Sequence, residues 1–159
     1  MFLETMILQR GITSFFNWNE HSIIPEFTIA EFKHIVFSVS GPLGYRVSNV
    51  VESGVTPNFH SALLSKGDNA VSILGHSTYS ILAFAKPLEI QSCHLCFVDY
   101  ELLFREITRL FPDLTIASTT ELNRKLSDSD LSKLDTLEIE QIKYWKSQFV
   151  GDIAFNWWD

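Results

Sequence analysis

The pattern of hydrophobic and polar residues changes character near residue 100. Before that point, short apolar runs rich in β-branched and aromatic residues are separated by turns that contain glycine or proline, which is typical of β-strands. Residues 29–40 (IAEFKHIVFSVS) end in such a run, and Gly41, Pro42 and Gly44 predict a turn after it. Further strands are predicted at residues 45–51, 70–74, 79–85 and 90–98, with a turn at 66–69, although 79–85 can also form a short helix.

Helical spacing replaces this pattern in the last third of the chain. Residues 100–111 (YELLFREITRLF) place four apolar side chains on one stripe, and Pro112 ends the helix. The four are Leu103, Ile107, Leu110 and Phe111. A short strand is predicted at 114–117.

Polar residues then predict where the last helices begin and end. Thr119 or Thr120 can cap a helix that ends near Leu126, and Ser127 with Asp130 forms an S-x-x-D cap for the next. Apolar residues recur at helical spacing over residues 131–149, with Thr136 as a point where the helix can break and Gly151 as its end. Strands early and helices late predict an α+β fold. We expect a single domain over residues 1–159, with a mainly antiparallel sheet from about the first hundred residues and helices concentrated in the last sixty.

The chain ends in an unusually aromatic segment, GDIAFNWWD, residues 151–159. If this tail is a strand, alternation places Ile153, Phe155 and Trp157 on the face that meets the core. Trp158 and Asp159 are then exposed, and Trp158 becomes the better candidate for binding a partner.

The charge of the chain narrows the choice of partner. Twelve Lys and Arg residues against nineteen Asp and Glu give a formal charge of −7, which opposes binding to nucleic acid or to anionic lipid. The most apolar run, residues 70–85, is too short to cross a bilayer. The opening MFLETMILQRG has no basic region or cleavage site of a signal peptide, so the expected location is the cytoplasm.

Acidic residues concentrate just before the aromatic tail. Between residues 128 and 140 the single base is Lys133, and the acids are Asp128, Asp130, Asp135, Glu138 and Glu140. Two interpretations stay open. The stretch is either a solvated helix face or a protein interface, in which acids steer a basic partner towards aromatic anchors.

The segment Gly75-His76-Ser77 resembles the nucleophile elbow of α/β-hydrolases. The G-x-S-x-G pattern requires a glycine where this chain has Tyr79, and the one histidine after Ser77 is His94. We therefore predict no catalytic residue and no enzyme activity, with a small hydrolase as the alternative. A small-molecule-binding module is the other alternative, with a pocket lined by aromatic residues such as Phe15, Phe16, Trp18 and Phe59.

The C-x-x-C segment formed by Cys93 and Cys96 suggests a metal or a redox site. In a strand over residues 90–98, however, the two thiols point to opposite faces and cannot share a metal. Buried, unreactive cysteines are the preferred interpretation. Neither a calcium loop nor a glycine-rich nucleotide loop is present in the sequence, so no cofactor and no metal is predicted.

The ending GDIAFNWWD, preceded by a helix that contains a tryptophan, resembles C-terminal segments of small bacterial immunity proteins. These are the cytoplasmic antidotes of contact-dependent growth inhibition and related polymorphic toxin systems. The resemblance covers nine residues, together with size and acidity, and carries no active-site residues across. It implies a protein that binds a toxin domain and blocks its active site or substrate entry. Because many such toxins are nucleases, the expected partner is a basic toxin domain. The predicted contacts are Asp128, Asp130, Asp135, Glu138, Glu140, Trp158 and Asp159.

Overall fold

A computed structural model describes residues 8–16, 23–88 and 94–158. The elements are α1 (Ile29–Leu43), β1 (Arg46–Val51), β2 (Phe59–Lys66), β3 (Asn69–His76), β4 (Ile81–Ala85), α2 (Glu101–Leu110), β5 (Thr115–Ile116), α3 (Thr119–Leu122), α4 (Asp128–Leu131), α5 (Thr136–Trp145) and α6 (Val150–Ala154). The α+β class is confirmed, since the sheet comes mainly from the first hundred residues and the helices lie mostly towards the C-terminus.

The five strands form one sheet in the order β1-β2-β3-β4-β5. The first four strands pair antiparallel, while β5 pairs parallel with β4. The predicted turn at residues 66–69 is confirmed: Lys66 pairs with Asn69, and Gly67 between them has a φ of 59°. A two-residue hairpin loop needs such a positive φ, which glycine adopts without strain.

The strand predicted at residues 29–40 is wrong, because these residues form helix α1. A capping box starts the helix: Thr28 Oγ1 accepts from Glu31 N, and the Glu31 carboxylate accepts from Thr28 N. Four apolar side chains then recur at helical spacing and are buried, namely Phe32, Ile35, Val36 and Val39. Gly44, in a left-handed conformation with a φ of 77°, ends the helix. Burial of the helical stripe overrides the local β-propensity of IVFSV.

The strand predicted at residues 90–98 is also wrong where the structure describes it. Residues 94–98 make one isolated bridge, between Phe97 and Ala85, and Cys96 is exposed rather than buried. β5 pairs with Ile81 and Leu82 on β4. The segment near Phe97 can therefore pair only with the end of β4, at Ala85. Cys93 and the rest of the predicted strand lie outside the described residues.

The helices after residue 100 follow the sequence pattern more closely. α2 confirms the helix at residues 100–111, and the Ser127 cap is confirmed because the Asp130 carboxylate accepts from Ser127 N at 2.8 Å. The break at Thr136 is the start of α5. Gly151, however, lies inside α6 instead of ending a helix. A Cβ at Gly151 would lie 2.9 Å from the backbone oxygen of Leu122, so close packing explains this glycine.

The sheet separates two hydrophobic clusters. One contains Ile73 and Phe84 together with the buried sides of α1 and α2. The other contains the adjacent Leu74 and Ala83, and joins the sheet to residues 8–12, to α5 and α6, and to the C-terminal tail. Since neighbouring strand residues face opposite sides, the tail lies on the face of the sheet opposite to α1.

A candidate binding cleft beside the C-terminal tail

The aromatic tail is part of the core, but it is not a strand. Ile153 and Phe155 are buried as predicted, whereas Trp158, which was expected to be exposed, is only 5% exposed. That expectation is wrong for two reasons. α6 replaces strand alternation over Val150–Ala154, and the Trp158 ring packs against Phe15 and Trp145. Asp159 lies outside the described residues.

Buried amides tie the tail to the beginning of the chain. The Asn58 side chain donates to the Ala154 carbonyl at 3.0 Å and accepts from the Asn156 backbone N–H at 2.8 Å. Asn156 in turn donates from its side chain to the Thr13 carbonyl at 3.2 Å. Because buried polar groups are costly unless bonded, this network fixes the path of the tail.

His76 belongs to the same buried network. Its Nε2–H donates to the Ile12 carbonyl at 2.6 Å, and its Nδ1 accepts from the Thr78 backbone N–H at 3.0 Å. Burial lowers the pKa of His76 to about 4, although the bond to the Ile12 carbonyl opposes that shift. The Ser77 hydroxyl lies 3.1 Å from the Ser14 hydroxyl. Since both ring nitrogens of His76 are engaged with other groups, this histidine is not placed to activate Ser77.

The five predicted contact acids divide into internal and exposed groups. Glu138 is completely buried and accepts hydrogen bonds from residues 11–13 and from Asp135. Its predicted contact with a partner is therefore wrong. Asp135 caps α5 and lies 3.4 Å from Arg10.

Asp130 also forms an internal ion pair. Both of its oxygens accept from Arg124 at 2.8 Å, which lowers the pKa of Asp130 to about 2. Arg124 also pairs with Glu121, and the two carboxylates raise the pKa of the guanidinium. Asp128 and Glu140 are exposed, so only these two of the five acids lie openly on the surface.

Three of the four tryptophans line one open cleft of about 370 Å³. The cleft lies where the end of α5, helix α6, the tail and residues 94–97 meet. The rings of Trp145 and Trp158 are parallel, with 2° between their planes and 6.5 Å between their centroids. Trp157 is anchored by an edge-to-face contact with Phe59 at 5.2 Å. The remaining lining residues are His94, Leu95, Phe97, Lys146, Ser147, Gly151, Asp152, Phe155 and Asn156.

An unusual backbone turn shapes one wall of the cleft. Lys146, directly after α5, has a φ of 55° and a ψ of 40°. A non-glycine residue in this left-handed region is strained, and the turn redirects the chain from α5 towards α6. Ser147 N then donates to the Ile142 carbonyl at 3.2 Å, which closes the end of the helix.

Trp145 also belongs to an exposed aromatic pair with its neighbour Tyr144. Tyr144 is 74% exposed and Trp145 is 38% exposed, and their rings meet edge to face at 5.3 Å. The tryptophan in the helix before the tail is Trp145, whereas Tyr144, Lys146 and Asp152 were not predicted as site residues. The sequence signal for this site was the tryptophans at the end of α5 and in the tail, not the acidic stretch.

The comparisons with known proteins add no relative to this description: no family model, no curated protein and no solved structure matches the chain. Within residues 8–16, 23–88 and 94–158, no three His, Cys, Asp or Glu side chains come together as a metal ion would require. No helix in the same ranges is long and apolar enough to span a membrane.

Proposed function

We propose that this protein is a stoichiometric binding protein, an immunity protein that neutralises a basic toxin domain such as a nuclease. The observation that carries the proposal is the exposed aromatic pair of Tyr144 and Trp145, of which Trp145 lines the tryptophan cleft. Tyrosine and tryptophan dominate the binding energy of protein interfaces, because they bury large areas with few rotatable bonds.

Two acids near the aromatic pair favour a basic partner, whereas the flanking Lys143 and Lys146 oppose one. Glu140 is exposed one helical turn before Tyr144, and the Asp152 carboxylate is exposed at the cleft. Together with the overall charge of −7, these acids favour rapid association with a positively charged protein. The resemblance of the tail to immunity proteins points to the same class of partner.

Co-expression tests the proposal directly. The chain is expressed with the C-terminal domain of the protein encoded immediately upstream of its gene, and both growth and complex formation are measured. We expect the domain to inhibit growth when expressed alone, the chain to restore growth, and a one-to-one complex that weakens as salt rises. A domain that is not toxic, or toxicity that persists, contradicts the proposal.

Two matched variants test the surface. Tyr144→Ala removes a mostly exposed ring and should weaken the complex about tenfold or more, as truncation of an interface anchor does. Phe37→Ala is the control, because Phe37 is 55% exposed on α1, on the other side of the sheet. Equal affinity of the two variants for the toxin domain would show that the aromatic pair is not part of the interface.

The cleft itself favours a second candidate, a small-molecule-binding module. Its volume of about 370 Å³ falls within the range of ligand pockets. Thermal stabilisation by a metabolite, without any protein complex in the co-expression test, would favour this function over the first. No described geometry favours the hydrolase alternative.

A further inference from the structure

The tryptophan cleft has the composition of a site for a cation. The faces of indole rings carry negative charge density, which attracts ammonium and guanidinium groups. The Trp145 indole N–H donates to the Gln141 side chain at 3.2 Å, so the polar edge of this ring already has a partner. Both rings line the cleft, but Trp158 is only 5% exposed and Trp145 is 38% exposed, so Trp145 offers the ring that a ligand can reach.

A carboxylate lines the same cleft. Asp152 lines the cleft, and its Oδ2 accepts from the Phe149 backbone N–H at 3.3 Å at the start of α6. This bond orients the carboxylate, and the Asp152 residue is exposed. In the part of the chain that the structure describes, no lysine, arginine or histidine pairs with Asp152.

Two cationic or titratable side chains share the cleft with Asp152. Lys146 is exposed at the turn after α5, and the exposed His94 also lines the cleft. An ammonium group at Lys146 disfavours a second cation through repulsion, but this long side chain can keep its charge in water. Replacing Lys146 with a neutral residue should therefore strengthen the binding of a cationic ligand and weaken the binding of an anionic one.

We propose that the cleft binds an arginine side chain of the basic partner. The planar guanidinium can stack on an indole face while it donates two hydrogen bonds to a carboxylate, which a lysine ammonium cannot do. This inference rests on the proposed function for the source of the arginine. It names the side-chain chemistry that the partner presents to Trp145 and Asp152.

The experiment uses the full chain and a small probe, N-acetyl-L-arginine amide, with N-acetyl-L-citrulline amide as the uncharged control of similar shape. Binding is followed through the indole N–H signals in NMR spectra. We expect saturable shifts with a Kd on the order of millimolar and about fivefold weaker binding of the citrulline compound. Equal binding of both compounds, or no saturable shift, overturns the inference.

Two variants give the sign of the charge preference. Asp152→Asn keeps an acceptor for Phe149 N–H, and it should weaken arginine amide binding roughly threefold while the melting temperature stays close to wild type. Lys146→Gln should strengthen binding by about twofold, because it removes a like charge. A loss of affinity in Lys146→Gln would assign the cleft to an anionic or neutral ligand and refute the proposal.

The two proposals can fail separately. If the chain protects against the toxin and Asp152→Asn protects equally with unchanged affinity, the arginine site is refuted and the immunity function remains. If arginine amide binds as expected but the upstream domain forms no complex, the cleft is still a site for a guanidinium group, and the immunity function is refuted.

Discussion

Replacing Glu138 with glutamine should destabilise the protein far more than the same change at Glu140. Both acids lie on α5, and both belong to the acidic stretch predicted to contact a partner. Glu138 is completely buried, whereas Glu140 is exposed. The substitution removes the charge and replaces one oxygen with an amide nitrogen, with almost no change in volume.

The magnitude follows from the four donors around the Glu138 carboxylate. Oε1 accepts from Gly11 N at 3.0 Å and from Asp135 N at 3.3 Å, and Oε2 accepts from Thr13 N at 3.2 Å and from the Thr13 hydroxyl at 2.5 Å. In Glu138→Gln the amide oxygen can keep the first pair, and the Thr13 hydroxyl can turn to accept from the new amide. The Thr13 backbone N–H is left without an acceptor. A buried donor without a partner, together with the weakening of the other bonds, costs about 3 kcal/mol.

Urea unfolding of wild type, Glu138→Gln and Glu140→Gln measures this difference. We expect a loss of about 3 kcal/mol for Glu138→Gln and less than about 0.5 kcal/mol for Glu140→Gln, as is usual for exposed sites. For a chain of this length, the larger loss corresponds to a fall of roughly 6–12 °C in Tm. Equal stabilities of the two variants would refute the conclusion that Glu138 holds the N-terminal segment in place.

Three further predictions concern the same buried region. The neutral form of His76 is favoured in the folded state, with a pKa of about 4. The free energy of unfolding should therefore be highest above about pH 6.5 and fall by up to about 3 kcal/mol as the pH drops to 4. Gly151→Ala should cost about 1–3 kcal/mol in urea unfolding, because its Cβ would lie 2.6 Å from Phe97. Removal of the three residues after Asn156 deletes a buried Trp158 ring and should cost about 3–5 kcal/mol by thermal unfolding.

Each of these predictions has a control or a contrary outcome. NMR titration of His76 with a midpoint near the ordinary value of 6.5 would contradict the pH dependence. Gly54→Ala is the control for Gly151→Ala, since its nearest neighbour would be the Thr56 oxygen at 3.7 Å, and its stability should not fall. A truncated chain that melts at the wild-type temperature would contradict the conclusion that the tail belongs to the core.

Local signals in the sequence were sufficient for part of the fold. The hairpin turn at Gly67 and the Ser127 cap each depend on neighbouring residues alone, so their residue types predict them. The capping box of α1 was equally readable, as Thr28 precedes Glu31 by three positions. The β-rich run IVFSV nevertheless favoured a strand, and only the packing of Phe32 and Ile35 against the sheet decides for a helix.

The candidate site was harder to predict, because contacts far apart in sequence define it. Glu138 differs from Glu140 locally in accepting from Asp135 N at the start of α5, but its burial depends on the bonds from Gly11 and Thr13, which lie far away in sequence. The aromatic residues of the tail were recognised as unusual, but their faces were assigned from strand alternation, which α6 does not follow. The parallel arrangement of Trp145 and Trp158 depends on the turn at Lys146, whose left-handed conformation has no signal in its residue type.

The bonds between the two ends of the chain also determine when the protein can become complete during synthesis. Thr13 is joined to Glu138 across 125 positions and to Asn156 across 143 positions. Thr13 leaves the ribosome long before Glu138 and Asn156 have been synthesised. The strands of the sheet can therefore pair before Thr13 forms these bonds. The tryptophan cleft needs residues 145–158, which emerge after all five strands. A nascent chain therefore presents no finished binding surface until these residues have left the ribosome.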